Sequence, residues 1–235
     1  MSAVANERAA RAPGADQLQP PMIQHLNLLA GAPGGVARLR ELILSLAVQG
    51  RLVPQDASDE AAELLLARVR SARSQLAVEG RIGRVRPVPP VSEDEAPFSL
   101  PKGWAWCRLA DLAWPQAGFA FKSSGFNGVG DGLPLIRIRD VGSGTPPTTF
   151  FSGEYREEFL VENGDWLISM DGEFRVRRWH ATKALLNQRV TRLAFYSAEV
   201  NADFVAAALQ RGLTSLQGTK AYTTVDHLSG RQIAE

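Results

Sequence analysis

The sequence is poor in the residues that build redox and metal chemistry. It has one cysteine, Cys107, and three scattered histidines, His25, His180 and His227, among 235 residues. A single thiol excludes a disulfide framework within the chain and fits a reducing, cytoplasmic setting. The same scarcity argues against a structural zinc site, which draws its ligands from cysteine and histidine. No apolar run reaches the roughly 18 residues that read as a transmembrane helix, so no membrane association is expected. The N-terminus lacks a basic start followed by an apolar stretch, so no secretory leader is expected. Net charge is almost absent, at +1. That excludes a uniformly basic, tail-like nucleic-acid binder and leaves such a role to local patches.

What is present is a globular composition, 45% hydrophobic, enough to bury a sizeable core. Residues 1–21 are rich in Ala, Pro and polar residues and predict a disordered extension. A helical segment is expected over 22–80. Its first helix, near 36–49, places Leu39, Leu42, Ile43 and Leu46 at helical spacing. Gly50 stands where a left-handed residue would end it, and Pro54 bars continuation. The second helix, near 58–79, has Ser58 as an N-cap candidate with Asp59 and Glu60 at the positive end of the dipole. Leu65, Val69, Ala72 and Leu76 make its apolar stripe, Arg68, Arg70 and Arg73 lie mostly off it, and Gly80 is the stop. Residues 81–100, "RIGRVRPVPPVSEDEAPFSL", predict a Pro-rich extended linker. From 101 to 235, short β-type runs alternate with Gly, Pro, Asn and Asp clusters, with one late helix in "ADFVAAALQRGLTSL". The fold class expected is α+β: an N-terminal helical arm followed by a mixed, turn-rich α/β domain.

Catalytic motifs are scarce. "GFNGVGDG" has the glycines of a phosphate loop but no following Lys-Ser/Thr. Asp171 and Glu173 are close enough to suggest a metal-dependent nuclease, but Arg175 stands where a lysine is wanted. Asp171-Gly172 is better read as a two-residue hairpin turn. No nucleophile–base set is suggested locally.

The basic residues say more. Arg175, Arg177, Arg178, Lys183, Arg189 and Arg192 crowd between 168 and 192, against Asp171 and Glu173. In a strand, Arg175 and Arg177 would point one way and Val176 and Arg178 the other, so arginine stands on both faces. Trp179 and His180 add planar groups suited to bases or sugars. Such a cluster is expected to face an anionic partner as one positive surface, against the plainer reading of a solvated hairpin. In "AFKSSGFN", Lys122, Ser123 and Ser124 could donate to phosphate oxygens and Asn127 could read a base edge; the plain alternative is a turn. Arg137 and Arg139 alternate with Ile136 and Ile138, the pattern of a half-buried strand, with phosphate contact or a salt bridge to Asp140 as the alternatives. Lys220 and Tyr222 in "GTKAYTTVDHL" would clamp a backbone or sit in a loop. Trp104, Trp106 and Trp114 read as core or linker-packing residues.

Several blocks in one order resemble the specificity (S) subunit of type I restriction-modification systems. They are "LRELILSLAVQGRLVPQDASDEAAELLLARVRSARSQLAVEGRI", "RPVPPVSEDEAPFSLPKGWAWCRLADLA", "FKSSGF", "PLIRIRDV", "GDWLISMDGEF", "LLNQRV" and "TTVDHLSGRQIAE". The resemblance covers nearly everything after about residue 36. It implies a non-catalytic subunit with target recognition domains that each read one half of a split site on double-stranded DNA. Methyltransferase (modification) subunits and a restriction subunit would be its partners, and S-adenosylmethionine, ATP and Mg would belong to those partners. The chain holds one recognition domain, at 101–235, and stops at Glu235, where the family continues into a proline-containing segment and a long helix. It is therefore expected to be a fragment or a half-subunit, the latter needing a second half-subunit to read a two-part site. On this reading Lys122, Arg137, Arg139, Lys183 and Lys220 set register on phosphates. Arg175, Arg177, Arg178, Asn187, Gln188 and Arg189 lie nearer base edges, where Arg suits guanine and Asn or Gln suits adenine. "NQRV" could equally be a buried strand. The alternative is a protein-interaction module that docks a methyltransferase without binding DNA.

Overall fold

The computed structural model describes residues 31–83, 87–170 and 172–217. The extension expected over 1–21, the stretch 22–30, Asp171, Lys220 and Tyr222 lie outside the described residues. The chain divides into two compact units, Met1–Leu44 and Ser45–Glu235.

Helix α1 spans Gly35–Val48 and α2 spans Ala62–Val78. Both end as their glycines require. Gly50 and Gly80 take φ of +65° and +69°, where a side chain would be strained. The Arg51 and Arg81 amides then reach back to the Leu46 and Leu76 carbonyls at 2.8 and 2.9 Å, closing a Schellman motif at each end. The start of α2 differs from expectation. Ser58 does not cap it, because its amide and hydroxyl both donate to Asp56 Oδ1, at 2.8 and 2.7 Å. That local turn competes with the helix, which begins only after Ala61.

The stripe on α2 is used in part: Val69 is its buried member, Leu66 beside it is buried too, and the Arg73 side chain, expected mostly off the stripe, is only 11% exposed. Val69 is fully buried against Val200 and Val205, with Leu65, Leu109, Leu112, Phe195 and Tyr196 around it. Burying a side chain of that size stabilises by roughly 1.5–3 kcal/mol. Arg70 donates to the buried Asp111 at 3.0 Å, adding a charged tie from the helix to the segment before the first strand. The stretch 87–100 contains no helix or strand but is held in place. Arg108 ion-pairs with Glu95 at 2.8 Å, and Trp106 meets Phe98 edge-on at 4.8 Å.

Two sheets follow. The first, in order β1-β9-β6-β7, contains β1 (Ala113–Ala117), β6 (Trp166–Ser169), β7 (Val176–Arg178) and β9 (Val190–Phe195), all antiparallel. The second, in order β2-β4-β3-β8-β5, contains β2 (Phe126–Asn127), β3 (Leu133–Ile136), β4 (Phe150–Phe151), β5 (Leu160–Val161) and β8 (Ala184–Leu186). Only its β3/β8 pair is parallel. Two further α-helices among the described residues are α3 (Leu109–Leu112) and α4 (Ala202–Gln217).

Strand alternation decides the layering. Ile168, Val176 and Leu193 point from the first sheet onto Ala206 and Leu213 of α4. Leu167 and Val190 point the other way, into a core with Leu135, Ile136, Leu185 and Leu186 of the second sheet. The layers are therefore helix, sheet, sheet, and the α+β expectation holds. Asn201 caps α4 by accepting the Phe204 amide at 3.0 Å. Gln210 of α4 closes the free edge of β7, accepting the Val176 amide at 2.8 Å and donating to the Phe174 carbonyl at 3.0 Å. An edge strand covered there has less open ladder to offer another chain.

Candidate nucleic-acid interface

Register brings several chain turns to one end of the two sheets. Ile136 lies opposite Leu186 in the parallel pair, so the segments after β3 and β8 leave the second sheet side by side. After β8 comes the turn Asn187-Gln188-Arg189, then β9. It is closed by Val190 N–H to Asn187 C=O at 2.9 Å. "NQRV" is thus a turn entering a strand, because this bond reverses the chain before alternation can resume. Gln188 and Arg189 are exposed.

The connection from β6 to β7 arrives at the same place. Ser169 pairs with Val190, and Met170 N–H donates to Arg189 C=O at 3.2 Å. This connection is not the expected two-residue hairpin. β6 ends at Ser169 and β7 starts at Val176. The buried Ser169 hydroxyl organises the gap, donating to the Glu173 carbonyl at 2.7 Å and accepting the Arg175 amide at 2.8 Å. Arg175 consequently sits in the connection, outside the strand, and ion-pairs with Glu173.

Arg137 and Arg139 differ from expectation too. They do not extend a strand, because Asp140 Oδ2 accepts the Arg137 amide at 2.8 Å and winds Ile138–Asp140 into a 3-10 turn. Arg139 is exposed and Arg137 half-buried. Arg137 Nε is buried without a hydrogen-bond partner, and the Asp140 carboxylate stays 4.0 Å away. Burial, with the neighbouring Arg139 charge second and Asp140 opposing, lowers the Arg137 pKa from its usual value. A desolvated guanidinium beside a like charge favours an arriving anion. The same turn reaches the first sheet: a Cβ on Gly142 would lie 2.8 Å from Arg177 Cγ, so the Arg177 stem rests on that glycine.

The third approach is the chain after β1. Phe119 bridges Asn187 in parallel, its amide donating to the Leu186 carbonyl at 2.9 Å. Gly118 makes this possible, since a Cβ there would stand 2.1 Å from the Asn187 oxygen. Phe159, at the foot of β5, packs on Phe119 with centroids 5.1 Å apart, and Arg156 covers both rings. Arg156 is not among the residues that the sequence alone points to. The local signal is slight: one arginine between Tyr155 and Phe159 in "EYREEF".

Other candidates lie elsewhere. Arg178 and Lys183 sit at the opposite ends of β7 and β8. There Arg178 donates to the Gly164 carbonyl at 3.3 Å, with Asp203 at 3.9 Å, and Lys183 pairs with Glu162 at 2.8 Å. Trp179 is a core residue whose Nε1 donates to the Thr182 carbonyl at 2.9 Å. Arg192, on the face between the sheets, is only 19% exposed and donates to Gln116, Leu160, Glu158 and Asp165. The arginine crowd is therefore not one positive surface, since a two-residue period sends neighbours to different faces and ends. Lys122, Ser123 and Ser124 are exposed around a 3-10 turn. The Asn127 amide is engaged by its own loop, donating to the Asp131 carbonyl at 2.8 Å and accepting the Val129 and Asp131 amides at 3.2 and 3.1 Å.

Among the described residues, no group of three or more His, Cys, Asp or Glu is placed to hold a metal ion. Nor is any helix there long and apolar enough to cross a membrane.

No family model matches the chain. It is 35% identical over 202 residues to the type I restriction enzyme EcoAI specificity subunit of Escherichia coli, covering 80% of this chain and 34% of that protein. It is 31% identical over 212 residues to the EcoEI specificity subunit of the same organism, covering 82% and 34%. The chain spans about a third of the length of these curated relatives. Among solved structures, the HsdS subunit from Thermoanaerobacter tengcongensis aligns with a TM-score of 0.40 at 22% identity, over 73% of this chain and 46% of that one.

Proposed function

This chain is a homologue of the type I restriction specificity subunits over about a third of their length, and on that premise we propose that it recognises one half of a two-part DNA target. The observation that carries the proposal is the convergence of Arg137, Arg139, Arg156, Arg175, Asn187, Gln188 and Arg189 on one end of the paired sheets. The residue types suit DNA readout, since guanidinium forks fit phosphates and guanine, and carboxamides fit adenine. Arg137 and Arg139 are assigned to phosphates, and Asn187, Gln188 and Arg189 to base edges. Arg177 borders this end through Gly142. Lys122, Ser123 and Ser124 are assigned to flanking phosphates, and Arg178 and Lys183 to any contacts beyond them. The protein selects the site and leaves the chemistry to partners.

Those partners are proposed to be methyltransferase subunits, docked on α1 and α2, and a restriction subunit. S-adenosylmethionine, ATP and Mg would be held by them. Val36, Leu42, Ile43 and Leu44 of α1 are exposed, more apolar surface than an unpartnered helix usually shows. The same observation favours the second reading, a docking module without DNA binding of its own.

Fluorescence anisotropy of duplexes selected from a randomised pool, across a salt series, separates the two. The recognition reading expects Arg139→Ala to weaken all sequences alike and to reduce the log–log salt slope by about 1. Gln188→Ala should relax preference at one base pair. Capture of a methyltransferase subunit with no salt-sensitive duplex binding would replace recognition by docking.

A further inference from the structure

Resting on the recognition reading, we infer that Arg156, mounted on Phe119, is a specificity-determining residue that reads a guanine edge.

The argument starts from how Phe119 is held. It is 42% exposed, unusual for a phenylalanine followed so closely by core. Behind it runs a row of rings. Phe121 lies 5.2 Å from Phe119, Phe151 lies 4.8 Å from Phe121, and Phe126 lies 6.2 Å from Phe151. Phe121, Phe151 and Phe159 are buried. Phe119 is therefore the surface end of an aromatic row rooted in the core. Its backbone is fixed as well, by the bridge to Asn187 and the bond to Leu186.

Arg156 lies on this platform. Its guanidinium carbon is 5.3 Å from the Phe119 centroid and 4.8 Å from that of Phe159. Glu158 pairs with Nη2 at 3.0 Å, which leaves most of the five N–H groups of the fork available. The side chain is still 64% exposed. An arginine stacked on rings and steadied by a carboxylate has already lost much of the rotamer freedom that binding would remove. A purely structural cover for Phe119 would need no such orientation and no neighbouring carboxamides. Here the ring under Arg156 borders Asn187, the first residue of the turn assigned to base edges. A planar fork held at that spot matches the O6 and N7 acceptors of guanine in the major groove. Lysine on the same platform would keep the charge and lose the two-pronged geometry.

The test uses the purified chain, its Arg156→Lys, Arg156→Ala and Phe119→Leu variants, and duplexes from the same randomised pool. Each half-site position is then varied through all four base pairs, with thermal melting as a check on folding. Arg156→Ala should weaken the preferred duplex by roughly 5- to 150-fold, with the loss confined to one G·C pair. Arg156→Lys should retain the salt slope yet lose most of that discrimination, and Phe119→Leu should fall between. An equal loss on every sequence, or no loss, overturns the assignment while leaving recognition by the chain intact. Absence of any sequence preference in the unaltered chain overturns the assignment and the recognition reading together.

Discussion

Gly118→Ala should destabilise the domain severely, for a reason of space alone. Gly118 has no positive φ, so backbone strain is not the cause. The added Cβ would stand 2.1 Å from the Asn187 oxygen, 2.4 Å from its carbonyl carbon and 2.6 Å from the Leu186 oxygen, all backbone atoms. No rotamer change relieves such a contact. The chain after β1 must move off β8, breaking Gly118 N–H to Val190 and Phe119 N–H to Leu186, now 3.0 and 2.9 Å. Overpacking costs about 1–3 kcal/mol, and each lost bond adds about 0.5–1.5 kcal/mol. The total, roughly 2–6 kcal/mol, is a large part of the ~5–15 kcal/mol that holds a domain together. With a mid-range slope of about 2 kcal/mol per molar urea, the unfolding midpoint should fall by about 1–3 M. Circular dichroism and tryptophan fluorescence should report it together. A midpoint within about 0.3 M of the unaltered chain, at unchanged slope, would refute the close approach and with it the placement of Phe119 beside Asn187.

Gly212→Ala should act in the opposite direction. A Cβ there meets nothing within 4 Å, and alanine is better in a helix interior by about 0.8–1 kcal/mol, so the urea midpoint should rise; a fall would show that α4 is not helical there. Arg108, with help from the Ser92 amide and hydroxyl, holds the Glu95 carboxyl down at about 2. Because the folded value is depressed, the tether of 87–100 is fully present above the ordinary carboxylate range and is lost as pH falls through about 2. A carboxyl-carbon NMR titration of Glu95 with its midpoint at an ordinary value would disprove the pairing.

The legibility of the sequence was uneven, and for physical reasons. The helix ends at Gly50 and Gly80 were readable because the cause is local: a residue without Cβ takes a conformation closed to others. The stripe through Val69 was readable because one face of α2 had to be buried. "LIRIRD" misled because the strand ends at Ile136, before the Arg/Ile alternation, and one carboxylate, Asp140, bends the residues that follow into a turn. Ser58 misled likewise, since Asp56 competes for the groups that would cap the helix. Arg156 was missed because nothing near it in sequence says that Phe119 lies beneath it.

The helices, the turn-rich β region and a likeness to proteins that select DNA sites are legible in the residues alone, because these rest on local conformation and ordered blocks of residues. Which cations stand together depends on the packed fold. It divided the arginines of 175–192 among a tip, an interior and a far end, and it brought Arg137, Arg139 and Arg156 from distant segments to the turn at Asn187. Strand register made that selection, and register depends on which faces are buried, a property of the whole fold.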